Sequence, residues 1–129
     1  MKTAYTVSVS TVQAAQYDER YEHETKTSEP IAEFDTIEAA REYSAAYDLA
    51  PAEVTHTRRG LDTVEYEQVE IWRDFLDQSG DVEETEFVES RDALTDDIRG
   101  AMEQHQREYW QFLDYRRPYY RSIAEILSA

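Results

Sequence analysis

"TVEYEQVEIWRDFLD", residues 63–77, is the stretch on which the fold turns. Its richness in Val, Tyr, Ile and Trp predicts a long β-strand. A half-buried strand alternates apolar and polar residues with a period of two, and here that period slips. Val64 and Tyr66 share one face, whereas Val69 and Ile71 share the other. Either a bulge near Gln68 re-aims the strand, or both of its faces are partly covered.

Toward the N-terminus the pattern is cleaner. "AYTVSVSTV" (4–12) puts Tyr5, Val7 and Val9 on one side and Thr6, Ser8 and Ser10 on the other, which predicts a half-buried strand. "ERYEHETKT" (19–27) sets Arg20, Glu22, Glu24 and Lys26 against Tyr21, His23 and Thr25. It is expected to pair with the first strand as an antiparallel hairpin and to run on through "PIAEF" (30–34), with Pro30 at an edge or bend. "FDTIEAAREYSAAYDLAP" (34–51) reads as a helix capped by Asp35, with Glu38 three residues on as in a capping box. Its stripe is Ile37, Ala40, Tyr43 and Tyr47, and it stops before Pro51. "RRGLD" (58–62) is a turn leading into the long strand.

Beyond that strand "QSGD" (78–81) turns the chain, and "VEETEFVES" (82–90) returns as a further strand or as an irregular acidic arm. From Ser90 the period becomes helical: Leu94, Ile98, Ala101, Met102, His105, Tyr109, Phe112 and Leu113 form a stripe, with Asp96, Asp97, Glu103 and Arg107 mostly off it. Pro118 interrupts, and "YYRSIAEILSA" (119–129) closes with a short helix that turns Ile123, Ile126 and Leu127 inward. The expected class is α+β. A small antiparallel sheet, made of the N-terminal hairpin plus central strands, packs with one mid-chain helix and a long C-terminal helix followed by a short one. The 129 residues fit a single domain, 1–129, with a strand-and-helix part at 1–89 and a helical part at 90–129.

Aromatics make up 12% of the chain, ten of them Tyr, so it has the means to build a core despite its charge. Without cysteine it has no disulfide framework and no thiolate chemistry. No signal-peptide run and no membrane-length apolar stretch occurs, so a cytoplasmic protein is expected, in the host cytoplasm if a phage encodes it. The net charge of −16 disfavours direct contact with nucleic acid or an anionic membrane and favours a basic partner. That charge is concentrated: residues 61–100 hold 14 acids and 3 bases, whereas residues 101–129 hold four of each.

Catalytic patterns are missing. Among 29 acids a plausible pair arises by chance, so spacing alone marks no active-site carboxylates. His23, His56 and His105 make no metal-ligand spacing, and His105 on the helical stripe reads as a hydrogen-bonded core histidine. Three glycines build no phosphate loop. No cofactor, no metal and no enzymatic activity are expected. In "REYWQFLDYRRPYYR" (107–121) aromatics alternate with Arg, which elsewhere signals nucleic-acid stacking. In so acidic a chain Trp110, Tyr115, Arg116, Arg117, Tyr119 and Tyr120 are better read as a second protein-contact surface, either for a partner or for a homodimer.

"DVEETEFVESRDALTDD" (81–97) carries the densest charge, eight acids against one Arg. It is a solvated face, the mark of a salt-loving organism, or an imitation of a nucleic-acid backbone. The second reading fits two Lys against eleven Arg but not the neutral C-terminal segment. For the third, residues i and i+2 on a strand and i and i+4 on a helix fall roughly 6–7 Å apart, close to the spacing of successive phosphates. Glu65 with Glu67, Glu84 with Glu86, and Asp92 with Asp96 meet these rules. The expected partner surface comprises Glu65, Glu67, Glu70, Asp74, Asp77, Asp81, Glu83, Glu84, Glu86, Glu89, Asp92, Asp96 and Asp97.

Small, acidic, Tyr-rich and cysteine-free, the chain resembles the DNA-mimic inhibitors carried by phages and mobile elements, among them anti-restriction and anti-CRISPR proteins. The likeness is one of general character over the whole chain, so it implies a mode of action and no individual residue. It implies a non-catalytic protein that blocks the DNA or RNA groove of a basic nuclease, CRISPR effector or restriction enzyme. The alternative is an acidic adaptor or structural module, of phage or halophile origin, with a solvated acidic face.

Overall fold

The computed structural model describes residues 2–17, 20–56 and 62–129. The elements, in chain order, are β1 (Lys2–Tyr17), β2 (Arg20–Phe34), α1 (Ile37–Ala46), β3 (Glu53–His56), β4 (Asp62–Leu76), β5 (Val82–Asp92), α2 (Asp96–Asp114) and α3 (Ile123–Leu127). The strands form one sheet in the order β2-β1-β4-β3, and β5 pairs with β4 beside that path. β3 lies antiparallel along the first part of β4, with Glu53 opposite Glu65. β5 lies antiparallel along the later part, from Gln68 opposite Asp92 to Leu76 opposite Val82. The class is α+β. Residues 58–61 of the turn expected before β4, and the connection between β1 and β2, lie outside the described residues.

Several boundaries differ from the sequence reading for local reasons. Thr36, extended at φ −126°, caps α1 in place of Asp35, its hydroxyl accepting from Ala39 N–H at 3.2 Å. Glu38 therefore sits inside the first turn, where it favours the helix dipole, and no capping box forms with it. β3 spans only four residues, too few to leave a period in the sequence. The long helix begins at Asp96, not Ser90, because β5 continues its pairing to Asp92 and Ala93 N–H then bonds Glu67 C=O at 3.0 Å. Asp92 and Asp96 thus lie on different elements, and the helical spacing expected of them does not exist.

The chain forms two compact units that interleave along the sequence. One comprises Met1–Thr11, Thr25–Ala50 and Glu67–Ala93; the other comprises Val12–Glu24, Pro51–Tyr66 and Leu94–Ala129. β1, β2 and β4 contribute residues to both.

In the first unit Val7, Ala40, Val69 and Ile71 form the buried core, with Tyr5, Val9, Ile31, Ala32, Phe34, Ile37, Leu49 and Val88 packed against it. Ala40, fully buried, lets α1 lie close on the strands. α1 has no basic residue in its last turn. Arg91 of β5 supplies one from outside, donating to the carbonyls of Ser44 at 2.7 Å and Tyr47 at 2.6 Å, where helix carbonyls lack partners. Arg41 of α1 in turn meets Glu89 of β5 at 2.6 Å.

The hydroxyl face of β1 is not the solvent face that alternation predicts. Ser8 and Ser10 are buried along with Val7. Across from them β4 turns in Glu70 and Asp74: Ser10 donates to Glu70, and Thr6 to Asp74. Trp72 Nε1–H donates to the second Glu70 oxygen at 3.0 Å, and Ser10 contacts Ser28 of β2 at 3.1 Å. Both faces of β4 are thus covered here, which explains the slipped period at Val69 and Ile71. The strand's register shifts against β5 fall at Ile71/Trp72 and Phe75/Leu76, not at Gln68.

In the second unit Asp62, Val64 and Tyr66 share a buried face of β4. α2 buries Ala101, Met102 and His105, and α3 packs on α2 and β3. Ser122 caps α3 in a full capping box with Glu125, and Ile123 is fully buried. Leu113 and Leu127, expected inside, are substantially exposed; they fall at or next to helix ends, where the stripe runs past the packing.

Candidate interaction site on the β4–β5 hairpin

The hairpin of β4 and β5 collects the exposed acids. Its turn is built by Asp77, whose Oδ1 accepts from Ser79 N–H at 2.8 Å, Ser79 Oγ–H at 2.6 Å and Asp81 N–H at 3.0 Å. Asp77 N–H bonds Asp81 C=O at 2.9 Å, and Gly80 takes φ +89°, a left-handed conformation that favours glycine. The Ser79 hydroxyl, followed by the Asp81 amide, holds the Asp77 carboxyl below the usual carboxylate range. The acids at the tip are therefore carried on an ordered frame.

Along β5 nearly every side chain faces solvent. Glu84 lies opposite Phe75 and Glu86 opposite Arg73, so these two acids share one face, at strand spacing of roughly 6.6 Å. Arg73 meets Glu86 at 3.4 Å while its guanidinium stacks 5.6 Å from the Tyr5 ring centre. The Tyr5 contact, followed by Glu86, raises the Arg73 pKa further. On the opposite face Phe87, half exposed, stands edge-on to Trp72 with centroids 5.5 Å apart. Beside the turn, Lys2, Leu76, Asp77, Gln78 and Glu83 line an open depression.

Not every acid expected on the ridge belongs to it. Glu70 and Asp74 are 8% and 6% exposed and satisfy inward hydroxyls, so neither presents charge to a partner. They sit where the strand is covered on both sides, and burial of an ion is tolerated there because donors meet it. Glu67, half-buried, accepts from Ala50 N–H at 2.7 Å. Asp92 is half-buried at the end of β5. Asp77, Asp81, Glu83, Glu84, Glu86 and Glu89 remain exposed on the hairpin, Glu86 and Glu89 beside Arg73 and Arg41.

Glu65, Asp96 and Asp97 belong to the second unit. Asp96 and Asp97 occupy the first turn of α2 after the Thr95 cap, where negative charge complements the helix dipole. Of the aromatic-basic candidates in the same unit, Tyr115, Arg116, Arg117 and Tyr119 are exposed. Trp110 is half-buried. Tyr120 is an inner anchor, its ring within 5.0–5.5 Å of Phe112, Tyr109 and His105. Burial raises the Tyr120 phenol pKa, and the hydrogen bond to Glu125 raises that of Tyr119.

His105 is the hydrogen-bonded core histidine that the helical stripe predicts; its buried partner Asp62 is the residue that sequence reading missed. Both are fully buried, 3.5 Å apart. Asp62 Oδ2 accepts from Ile123 N–H at 2.6 Å, and His105 Nδ1 donates to Arg121 C=O at 2.6 Å. A Nδ1–H tautomer follows from that last contact. The pair has the composition of a catalytic dyad but is sealed from solvent and engaged with backbone, and what it does is fasten α3. The signal for Asp62 lay in its step-two relation to Val64 and Tyr66. Among the described residues no group of His, Asp or Glu is disposed to hold a metal ion, and no helix is long and apolar enough to cross a membrane.

Neither a protein-family model, nor a curated protein, nor a solved structure matches the chain, so the chemistry of the hairpin rests on its own geometry.

Proposed function

We propose that the chain is a non-catalytic acidic protein that docks, through the β4–β5 hairpin, into the basic nucleic-acid groove of a nuclease, CRISPR effector or restriction enzyme. The observation that carries this reading is the exposure of Asp77, Asp81, Glu83, Glu84 and Glu86 on a turn and strand fixed by hydrogen bonds. Acids held at strand spacing stand in for phosphates without the reorganisation a flexible tail would need, and they steer a basic partner at long range. Complex formation is fast, weakens steeply with salt and competes with nucleic acid.

The test is capture from a host lysate at low and high salt, with wild type beside a variant carrying Asp81→Lys, Glu83→Lys and Glu84→Lys. The three reversals move the net charge from −16 to −10, two units each. They spare Asp77, which the turn needs, and Glu86, which meets Arg73; Asp81→Lys gives up a 3.2 Å contact from the Ser79 hydroxyl, which keeps its 2.6 Å bond to Asp77. Recovery of a nucleic-acid-handling protein by wild type and its loss with the variant support the reading. Equal capture by both sinks it.

The second reading is an adaptor that binds through the exposed Tyr115, Arg116, Arg117 and Tyr119. It is favoured by one observation: two of these, Tyr115 and Tyr119, are 74% and 60% exposed and of a residue type common in interface hot spots. Capture insensitive to salt and to the triple reversal, but lost with Tyr115→Ala and Tyr119→Ala together, selects it.

A further inference from the structure

We infer that β5 is a receptor edge: a basic, extended segment of the partner adds to it as an antiparallel strand. This rests on the basic-partner reading above and supplies its mode of recognition.

A strand directs its backbone N–H and C=O groups alternately to its two flanks. Among the described residues β5 pairs only with β4, and β4's other neighbours are β1 and β3. The outer flank of Val82–Arg91 is therefore an open row of donors and acceptors, about 33 Å long at strand rise. Open edges invite addition of a strand, and proteins blunt them with charged side chains, above all Lys, with Pro, with bulges or by short length. Of the other edge strands, β2 carries Pro30 and Lys26, and β3 spans only four residues. β5 carries neither Pro nor Lys; its register shifts fall opposite Ile71/Trp72 and Phe75/Leu76 and leave residues 84–87 regularly paired between them.

The acids decide what enters. A second copy of β5 would bring Glu83, Glu84, Glu86 and Glu89 against the same acids, and like charges facing across strands oppose pairing. The same row favours a strand that alternates Lys or Arg with apolar residues. Val82 and Phe87, 55% and 48% exposed, offer apolar contact, and Trp72 holds the Phe87 ring in place. The charge thus serves as a filter that rejects the chain itself and other acidic strands while leaving the backbone edge available. Main-chain bonds supply affinity and the acids supply selectivity.

The experiment uses the full chain and two eleven-residue peptides alternating Lys and Val. The second peptide has N-methyl groups on four successive central residues, which block hydrogen bonding on both flanks without changing charge. Fluorescence anisotropy gives affinities, and amide exchange by NMR reports on β5. The added strand predicts at least tenfold tighter binding of the unmodified peptide, with slowed exchange of alternate amides within Val82–Arg91. Equal affinities that fall equally with salt overturn the added strand and leave the basic-partner reading standing. No binding by either peptide at low salt overturns both.

Discussion

Glu70 sits at the centre of a buried hydrogen-bond network, and its substitution measures what that network contributes to stability. By pattern it is one more ridge acid, equivalent to Glu84. In the structure it is 8% exposed, with one oxygen accepting from Ser10 and the other from Trp72 Nε1 at 3.0 Å. A hydrogen bond to a charged group contributes about 1.5–3 kcal/mol. Glu70→Ala removes two and leaves the indole N–H unanswered, so a loss of about 3–5 kcal/mol is expected once partial relaxation is allowed for. Against a total stability of about 5–15 kcal/mol the variant is near the limit of folding. Glu70→Gln keeps the shape. Its carbonyl oxygen accepts from Trp72, its amide donates to the Ser10 oxygen, and Ser10 turns its own proton to Ser28, 3.1 Å away. The loss then falls to about 1 kcal/mol. Glu84→Ala, on the exposed strand, changes stability by less than about 0.5 kcal/mol. Urea unfolding monitored by tryptophan fluorescence measures all three. If Glu70→Ala and Glu84→Ala unfold at the same urea concentration, the inward network at Glu70 does not exist in solution.

The second unit gives three more tests. Ile123→Ala, which empties a fully buried site, is expected to cost about 2–5 kcal/mol in a urea melt, whereas Leu127→Ala, 39% exposed, costs under about 1 kcal/mol. Asp62→Ala leaves the buried Ile123 N–H without its acceptor, so α3 releases and limited proteolysis cuts after Tyr115 or Arg116 while the sheet survives. Arg116 follows the cap of α2 at φ +49°, so Arg116→Gly is expected to raise stability by up to about 1 kcal/mol, read as a higher melting temperature. For the hairpin, Asp77 has a folded pKa depressed below 3.8. Its contribution is present above that value and lost as pH falls through the lower folded value. The protection factors of the Ser79 and Asp81 amides are thus expected to hold across the ordinary carboxylate range and to fall only at lower pH; protection unchanged in strong acid would count against the turn's dependence on Asp77.

The legible part of this fold was whatever a single period could encode. β1 was visible because Tyr5, Val7 and Val9 alternate, and α2 because Ala101, Met102 and His105 recur at helical steps and are indeed its buried residues. Pro30 called for an edge or a bend, and the sheet order puts β2 at an edge. What escaped was structure made by long-range pairing. Ser8 and Ser10 look like solvent residues until Glu70 is placed across from Ser10, sixty positions away. Ser90 to Asp92 look like the start of a helix, but their partners on β4, from Glu70 to Gln68, keep them extended. Local propensity yields wherever the ladder can be continued.

The same contrast answers why the acids are gathered between residues 61 and 100. A run of charge in the sequence is not a patch of charge on the surface, because each carboxylate is spent separately by the fold. Asp62 fastens α3, Glu70 and Asp74 satisfy inward hydroxyls, and Glu67 holds the Ala50 amide. Asp77 and Asp81 shape the turn. Glu86 and Glu89 meet Arg73 and Arg41, and Asp96 and Asp97 open α2. Glu83 and Glu84, exposed at the start of β5, have no such duty among the described residues. Among the described residues no contact offsets their repulsion, and the same holds of Glu65 opposite Glu53 in the second unit; on the hairpin, Glu83 and Glu84 are the acids whose retention most calls for a partner. Glu83→Gln with Glu84→Gln should therefore stabilise the isolated protein slightly at low salt, by about 0.5 kcal/mol, and weaken capture of a basic partner. Should the double variant leave capture intact while the Glu86→Gln and Glu89→Gln pair abolishes it, the acids that matter are those already paired with arginine. The partner would then compete for Glu86 and Glu89 with Arg73 and Arg41 instead of meeting a free ridge.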